Sequence, residues 1–407
     1  MLESLRTLTA TQRHAFLAAL GGWSLDAFDF FIFVFCLQAI SAQFHTDIKS
    51  VAEGLFLTLA SRPIGALLFG WLAERYGRRP VLMLNVASYS ALQLATALAP
   101  NLATLLALRA LFGVAMGGVW GVGAALALET LPARGRGFFS GLLQEGYVIG
   151  FLLASALFAL VFDRVGWRGM FMISAASALL VLYIRFGVEE SPAWASGTAP
   201  QRASAGAVCR AVRDYFPTLA YLIVLMACFN AFSHGSQDLY PTFLQKQRGF
   251  SAPMTGNITI VMNLGGLAGG ICFGALSERL GRRRAIALAA ALALPMIPLW
   301  ALSHTAVMLA LGGFLMQFMV QGAWGIVPAH LNELSPSSVR AILPGFAYQL
   351  GNLAVARMAP FQAALAESRG GDYAYILGWT LAVVAVALIV ASTLGPEARA
   401  AELKVAA

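Results

Sequence analysis

Runs of about 20 mainly apolar residues recur along the chain, each long enough to cross ~30 Å of hydrocarbon as an α-helix. Polar breaks mark out twelve of them: 14–39, 51–74, 80–99, 102–130, 137–161, 167–187, 217–241, 254–277, 284–303, 306–332, 341–366 and 373–395. Several exceed 25 residues, which predicts tilted helices or interfacial ends. The longest hydrophilic connection, about 188–216, reads EESPAWASGTAPQRASAGAVCRAVRD and divides the spans six and six. The pattern therefore predicts an all-α membrane protein of twelve transmembrane helices. Six-helix bundles are expected over 1–187 and 217–407, joined by a linker over 188–216.

Composition agrees with a polytopic membrane protein. Of 407 residues, 59% are hydrophobic and only 11% are charged, too few to cover a soluble surface. Mean hydropathy is +0.74. The net charge of +8 raises the question of a nucleic-acid partner, and its distribution answers it. With both termini cytoplasmic, 18 of the 27 Lys and Arg fall on the inner side and 6 outside. The remaining three, Arg62, Arg109 and Arg357, lie inside spans. This is the positive-inside bias, so the basic character reflects topology and no nucleic acid is expected. Residues 1–13 are polar and run straight into a span with two aspartates, so no cleavable signal is expected. Cys36, Cys209, Cys228 and Cys272 have no metal-type spacing and read as free thiols. No nucleotide loop, metal cluster or catalytic-triad spacing appears, so neither an enzyme nor a cofactor is expected.

An internal repeat sharpens the division into halves. GALLFGWLAERYGRR (65–79) aligns with GGICFGALSERLGRR (269–283) at an offset of 204. The same offset pairs Trp120 with Trp324, Glu129 with Glu333, Pro132 with Pro336, Arg136 with Arg340 and Gly141 with Gly345. It also lays Asp26 over Asn230. Two parallel halves related by an axis along the membrane normal follow.

On these residues the chain resembles the major facilitator superfamily over nearly its whole length. The family's loop after the second helix is similar to Gly70…Glu74-Arg75-Tyr76-Gly77-Arg78-Arg79. Its weaker echo after the eighth is similar to Gly274…Glu278-Arg279-Leu280-Gly281-Arg282-Arg283. The family usually has Asp where this chain has Glu74 and Glu278. The glycines allow a tight turn and close helix approach. The acids and arginines suit charge-assisted bonds across the seam between the halves. The resemblance implies a gating latch at Glu74, Arg75, Arg78, Glu278, Arg279 and Arg282. Glu129 and Glu333 end the fourth and tenth spans beside Arg136 and Arg340, where a structural or gating ion pair is expected.

Ionisable side chains within spans cost at least ~2.5 kcal/mol on insertion scales, so each needs a cavity or a partner. In GGWSLDAFDFFIF, Asp26 and Asp29 are i and i+3 and share a face. Asp26 lies roughly 16 Å along the first span, near the midplane. Two carboxyl groups this close are costly to ionise together, and a carboxyl poised to take a proton is what a proton-coupled carrier requires. The bland reading is a hydrogen bond to a neighbouring helix. Arg62 stands about 18 Å above the cytoplasmic end of the second span, and Arg357 lies past the middle of the eleventh. A buried guanidinium suits a carboxylate bidentately, so Arg62, Arg357 and Arg109 are candidates to hold an anionic substrate. The alternative is a structural ion pair with Asp26, Asp29 or Glu145. Arg109 opens RALFGVAMGG, which resembles the family's fourth-helix Arg-and-glycine motif. Gln144 in GLLQEGYVIG and Gln349 in YQLGN correspond at an offset of 205. By resemblance these two helices flank the cavity, which makes both glutamines substrate candidates. Trp23, Phe30, Trp120, Trp324 and Tyr348 line the path or simply pack.

The seventh span carries the densest polarity, NAFSHGSQDLYPT (230–242). Asn230, His234 and Asp238 fall at i, i+4 and i+8, with Gln237 at i+7, which makes one polar stripe. Its cost excludes a lipid-facing stripe. Pro241 weakens the helix and frees the carbonyl at 237, a hinge position. The run matches every defined position of the Asn-x-x-Ser/Thr-His-x-Ser/Thr-Gln-Asp-x-x-x-Thr signature of the fungal lactate/pyruvate permeases. These belong to the sialate:proton symporter branch. The matches are Asn230, Ser233, His234, Ser236, Gln237, Asp238 and Thr242. The resemblance implies transport and proton-coupling roles for Asn230, His234 and Asp238, with a structural network between helices as the bland reading. The long termini and loops of the fungal members are missing, which points to a bacterial inner-membrane protein.

The expected function is proton-coupled uptake of a small monocarboxylate, lactate or pyruvate first. Asp26, Asp29, His234 and Asp238 are the proton-coupling candidates. Arg357, Arg62, Arg109, Asn230, Gln237, Gln144 and Gln349 are the substrate-binding candidates. The partners are the carboxylate, protons and the lipid bilayer, and by family analogy the carrier is a monomer. A symporter of sialic acid or an aromatic acid is the nearest rival. An exporter fits the seventh-span signature poorly, and a sensor normally carries an added soluble domain.

Overall fold

The structure is a computed structural model that describes residues 8–130, 136–196, 213–335 and 343–396. Cys209, Pro132, Pro336 and Arg340 lie outside the described residues, as does the side chain of Arg136. Among the described residues all regular structure is helical.

Nine helical runs among the described residues are long and apolar enough to cross a membrane. The expected twelve emerge once three local features are recognised. The run Gly141–Gly187 turns at Gly166, whose φ of 63° breaks it into the fifth and sixth spans. The third span, Arg78–Ala97, is diluted by Asn85, Ser90, Gln93 and Thr96, which point inward and are buried. The eleventh is divided into Leu343–Val355 and Met358–Ser368. Pro360 has no N–H for the Ala356 carbonyl, so the ladder opens there.

The helix ends follow local chemistry. Thr9 and Gln12 form a reciprocal capping box that starts the first span, Ala10–Gln43. Asp47 accepts the Ser50 N–H at 2.6 Å where the second span, Ile48–Tyr76, begins. Bonding to Ser50, with Lys49 and Lys246 nearby, holds the Asp47 carboxyl below the usual range. Gly77 and Gly281, with φ of 102° and 92°, make the sharp turns after the second and eighth spans.

The described residues form two compact units, Met1–Thr46 with Leu57–Arg202, and Asp47–Phe56 with Ala203–Ala407. Within the first, a Cβ on Gly65 would sit 1.8 Å from the Val114 carbonyl oxygen, so the second and fourth spans touch backbone to backbone. Within the second, a Cβ on Gly269 would sit 2.0 Å from the Phe318 carbonyl oxygen. Both members of the second contact are the first pair's residues shifted by 204. The repeat read from sequence is thus a repeat of packing.

Candidate functional site

In the first unit four ionisable residues within the spans are fully buried: Asp26 and Asp29 are 0% exposed, Arg62 and Arg109 1%. They fall into two groups with different surroundings. Arg109, on the fourth span (Leu102–Thr130), is locked in place. Its Nη2 donates to Gln93 Oε1 at 2.6 Å and to Thr96 Oγ1 at 2.9 Å, both on the third span. The rings of Phe112, Phe33 and Phe171 lie 4.3–5.4 Å from its guanidinium carbon. Gln93 Nε2 continues the chain to the Asp29 carbonyl and to Ser174 Oγ, and Ser177 Oγ donates to Asp29 Oδ2 at 3.3 Å. Arg109 is therefore tied through Gln93 to the backbone at Asp29, a hydrogen-bonded link across three spans.

Asp26 is different. Neither of its carboxyl oxygens has a hydrogen-bond partner among the described residues. Asp29 Oδ1, Trp23 Nε1 and the Tyr89 hydroxyl are likewise unpartnered there. The charges of Arg62 and Asp29 act on Asp26, and Arg62 lies 5.8 Å from the Trp23 ring centroid. Buried polar atoms normally find partners, so this cluster has bonding capacity left for a proton or a ligand.

In the second unit the NAFSHGSQDLYPT run folds into a dense buried network. Asn230, His234, Gln237 and Asp238 are all 4% exposed or less. His234 Nδ1 lies 3.1 Å from Asp238 Oδ2, one helical turn on. Gln237 Oε1 accepts from Ser233 Oγ, and its Nε2 donates to Gln317 Oε1 on the tenth span at 2.7 Å. Gln317 Nε2 then donates back to Ser236 Oγ at 3.1 Å. Asn230 donates to the Met226 carbonyl of its own helix. The helix Phe216–Gln237 stops at Asp238, and the chain resumes as a short turn, Tyr240–Thr242, then a π-helical turn, Phe243–Gln247. Pro241 marks this irregular stretch, where the sequence placed a hinge.

Other candidates are placed elsewhere. Arg357 is not buried: its side chain is 67% exposed, pairs with Glu53 at 3.5 Å and lies over the Phe56 ring. It sits at the break in the eleventh span, where the backbone turns it outward. Gln349 is buried, its Oε1 without a partner among the described residues, and Gln144 is half-buried. Trp23 packs on Tyr147, and Trp324 on Phe229 and Tyr348, so these aromatics pack within their own units. Cys36, Cys228 and Cys272 are free thiols.

The loop arginines find partners inside their own units. Arg78 pairs with Glu129 at 3.2 Å and Arg282 with Glu333 at 3.0 Å, each inside one unit and again offset by 204. The acids at the ends of the fourth and tenth spans are thus the partners. Glu278 and Arg279 are exposed, and Arg75 stacks on Trp71 and Tyr76. The Glu74 carbonyl accepts from Trp194 Nε1. Glu190, absent from the sequence reading, caps the start of the third span. Its carboxylate accepts the backbone N–H groups of Arg78, Arg79 and Ser191, while Ser191 Oγ donates to Glu129. Gln93 and Gln317 were also missed, although each shows in sequence as an amide within an apolar span.

The family model described as Major Facilitator Superfamily matches residues 19–256, and one described as Sugar (and other) transporter matches 218–399. The chain belongs to the major facilitator superfamily. This facilitator is 30% identical over 395 residues to the carboxylic acid transporter protein homolog of Saccharomyces cerevisiae. The match covers 90% of this chain and spans 63% of the yeast protein's length. It is 29% identical to the sialic acid transporter NanX of Escherichia coli, with 84% of each chain covered. The solved xylose transporter XylE of E. coli superimposes with a TM-score of 0.73 at 18% identity, covering 96% of this chain and 99% of that one. That likeness shows the fold. The facilitator is accordingly a multi-pass membrane protein of the major facilitator fold.

Proposed function

We propose that this facilitator takes up a small organic acid together with protons, with a monocarboxylate such as lactate or pyruvate as the first candidate. It would work as a monomer in a bacterial inner membrane, both termini cytoplasmic, by alternating access of the halves on either side of the 188–216 linker. The observation that carries the reading is Asp26, a fully buried carboxyl with no hydrogen-bond partner among the described residues and with Arg62 as its counter-charge. Asp26 takes the proton, which releases Arg62 to hold the substrate carboxylate. In the second unit Asn230 and Gln237 are the further substrate-binding candidates, and His234 with Asp238 relays or holds a second proton. Arg109 and Asp29 position the first helix through Gln93. Arg78–Glu129 and Arg282–Glu333 stiffen the loops that take part in gating. The seven matched positions of 230–242 support the lactate/pyruvate branch, and the yeast relative's name supports an acid as substrate. The relative named as a sialic acid transporter favours a second reading, symport of a sugar acid or aromatic acid.

Proteoliposomes test the coupling. An acidic exterior should drive lactate accumulation, and Asp26→Asn should cut it at least tenfold while counterflow persists. If Asp26→Asn, Asp29→Asn and Asp238→Asn all keep full proton-driven accumulation, the reading fails. Counterflow of labelled lactate competed by pyruvate, benzoate and sialate decides the substrate.

A further inference from the structure

The break at Arg357 opens a groove of about 670 Å³ between the eleventh span, the twelfth (Tyr373–Leu394) and the first turns of the second. All of its lining belongs to the second unit. The walls are apolar, built from Met358, Phe361, Trp379 and Val383. Trp379 and Val383 are also part of a stripe, Tyr375, Trp379, Val383, Val386 and Val390, exposed along one face of the twelfth span. In a multi-pass membrane protein, an apolar stripe at this spacing faces hydrocarbon. The groove therefore opens onto acyl chains.

Its rim is charged. Lys49 and Glu53 stand one helical turn apart on the second span, and Arg357 reaches Glu53 from the eleventh. Arg357 lies 11 residues before Ser368, about 16 Å down the helix from that end. A guanidinium at such depth on a lipid-facing surface needs polar company and snorkels toward it. The single carboxylate at 3.5 Å leaves the guanidinium 67% exposed, and Lys49 is exposed beside it. Two cations and one anion thus surround the mouth of an apolar slot. That matches a headgroup with one phosphate and one ammonium above an acyl chain.

We infer that this groove binds one glycerophospholipid with a primary-ammonium headgroup. Its phosphate sits between Lys49 and Arg357, its ammonium donates to Glu53, and one acyl chain lies along Phe361, Trp379 and Val383. Arg357, a substrate candidate by its place in the span, is thereby a lipid ligand. The inference goes beyond the transport reading and does not depend on it, because lipid retention is measured without transport.

Native mass spectrometry of the full chain, stripped with detergent and offered phosphatidylethanolamine, phosphatidylcholine or phosphatidylglycerol of equal acyl length, tests it. One phosphatidylethanolamine should survive stripping, at least fivefold better than phosphatidylcholine, whose ammonium has no N–H for Glu53. Val383→Trp fills the slot and Lys49→Glu reverses a rim charge, and each should cut retention at least fivefold. Lys49 is exposed, so its variant keeps the test open should Val383→Trp misfold. Unchanged retention in Lys49→Glu, or in a Val383→Trp protein that melts like wild type, overturns the proposal. Equal retention of all three lipids overturns it as well. A dimer that Val383→Trp dissociates, with lipid retention unchanged, gives the groove to a second copy instead.

Discussion

Gln317 uses both ends of one amide to hold the seventh span, accepting from Gln237 and donating to Ser236. It is 1% exposed, so water cannot replace either bond. Gln317→Leu keeps the bulk, strands the buried Gln237 Nε2 and leaves Ser236 Oγ only its bond to the Ser233 carbonyl, and should cost ~1–3 kcal/mol, read as a lower melting temperature in detergent. Gln317→Glu, when its carboxyl is neutral, accepts from Gln237 and donates its O–H to Ser236, so it should lose less at acidic than at alkaline pH. Residues of this kind explain what sequence made legible. Asp26, Asp29, Arg62 and Arg109 declare themselves because charge in an apolar run is anomalous, and all four are buried. An uncharged amide such as Gln93 or Gln317 is the same type of anomaly at lower contrast. The depth of Arg357 along its span can be counted from sequence, but depth says nothing about which face of a broken helix it occupies.

At the scale of elements, spans meet through contacts that tolerate no side chain. Gly65 against Val114 and Gly269 against Phe318 are the clearest. Gly65→Val and Gly269→Val should each force those helices apart and lower stability by ~1–3 kcal/mol or abolish folding. Gly121→Ala is the contrast, since a Cβ there meets nothing within 4 Å, and it should be neutral or stabilising by up to ~1 kcal/mol. Thermal unfolding of the three variants side by side checks both claims. The spans themselves were readable because apolar runs of this length have few alternatives. Their irregularities were less so. Pro241 announced one in the seventh span, but the division of the eleventh depends on how the chain answers Pro360, and the turn at Gly166 on a single positive φ.

For the whole molecule, the offset of 204 is the strongest statement the sequence makes. It pairs Arg78–Glu129 with Arg282–Glu333 as well as the glycine contacts, so the two halves repeat both their packing and their ion pairs. What it leaves out is what the halves do not share. Glu190 binds three backbone N–H groups of the first unit from beyond the sixth span, in a stretch that reads as hydrophilic connection. Composition marks such a stretch as solvent-exposed and carries no sign of its partners. Residues 189–195 therefore act with the spans before them, through Glu190, Ser191 and Trp194.

That clamp decides where the gene can be cut. Two fragments produced together from separate reading frames should assemble into a folded carrier when the first ends after Ser196, because it keeps its own carboxylate on the amides of Arg78 and Arg79. Ending it after Gly187, where the hydrophobic pattern stops, should leave those amides bare and the fragment prone to degradation. Co-purification yield of the two pairs measures the difference, and equal yields would show the clamp to be dispensable.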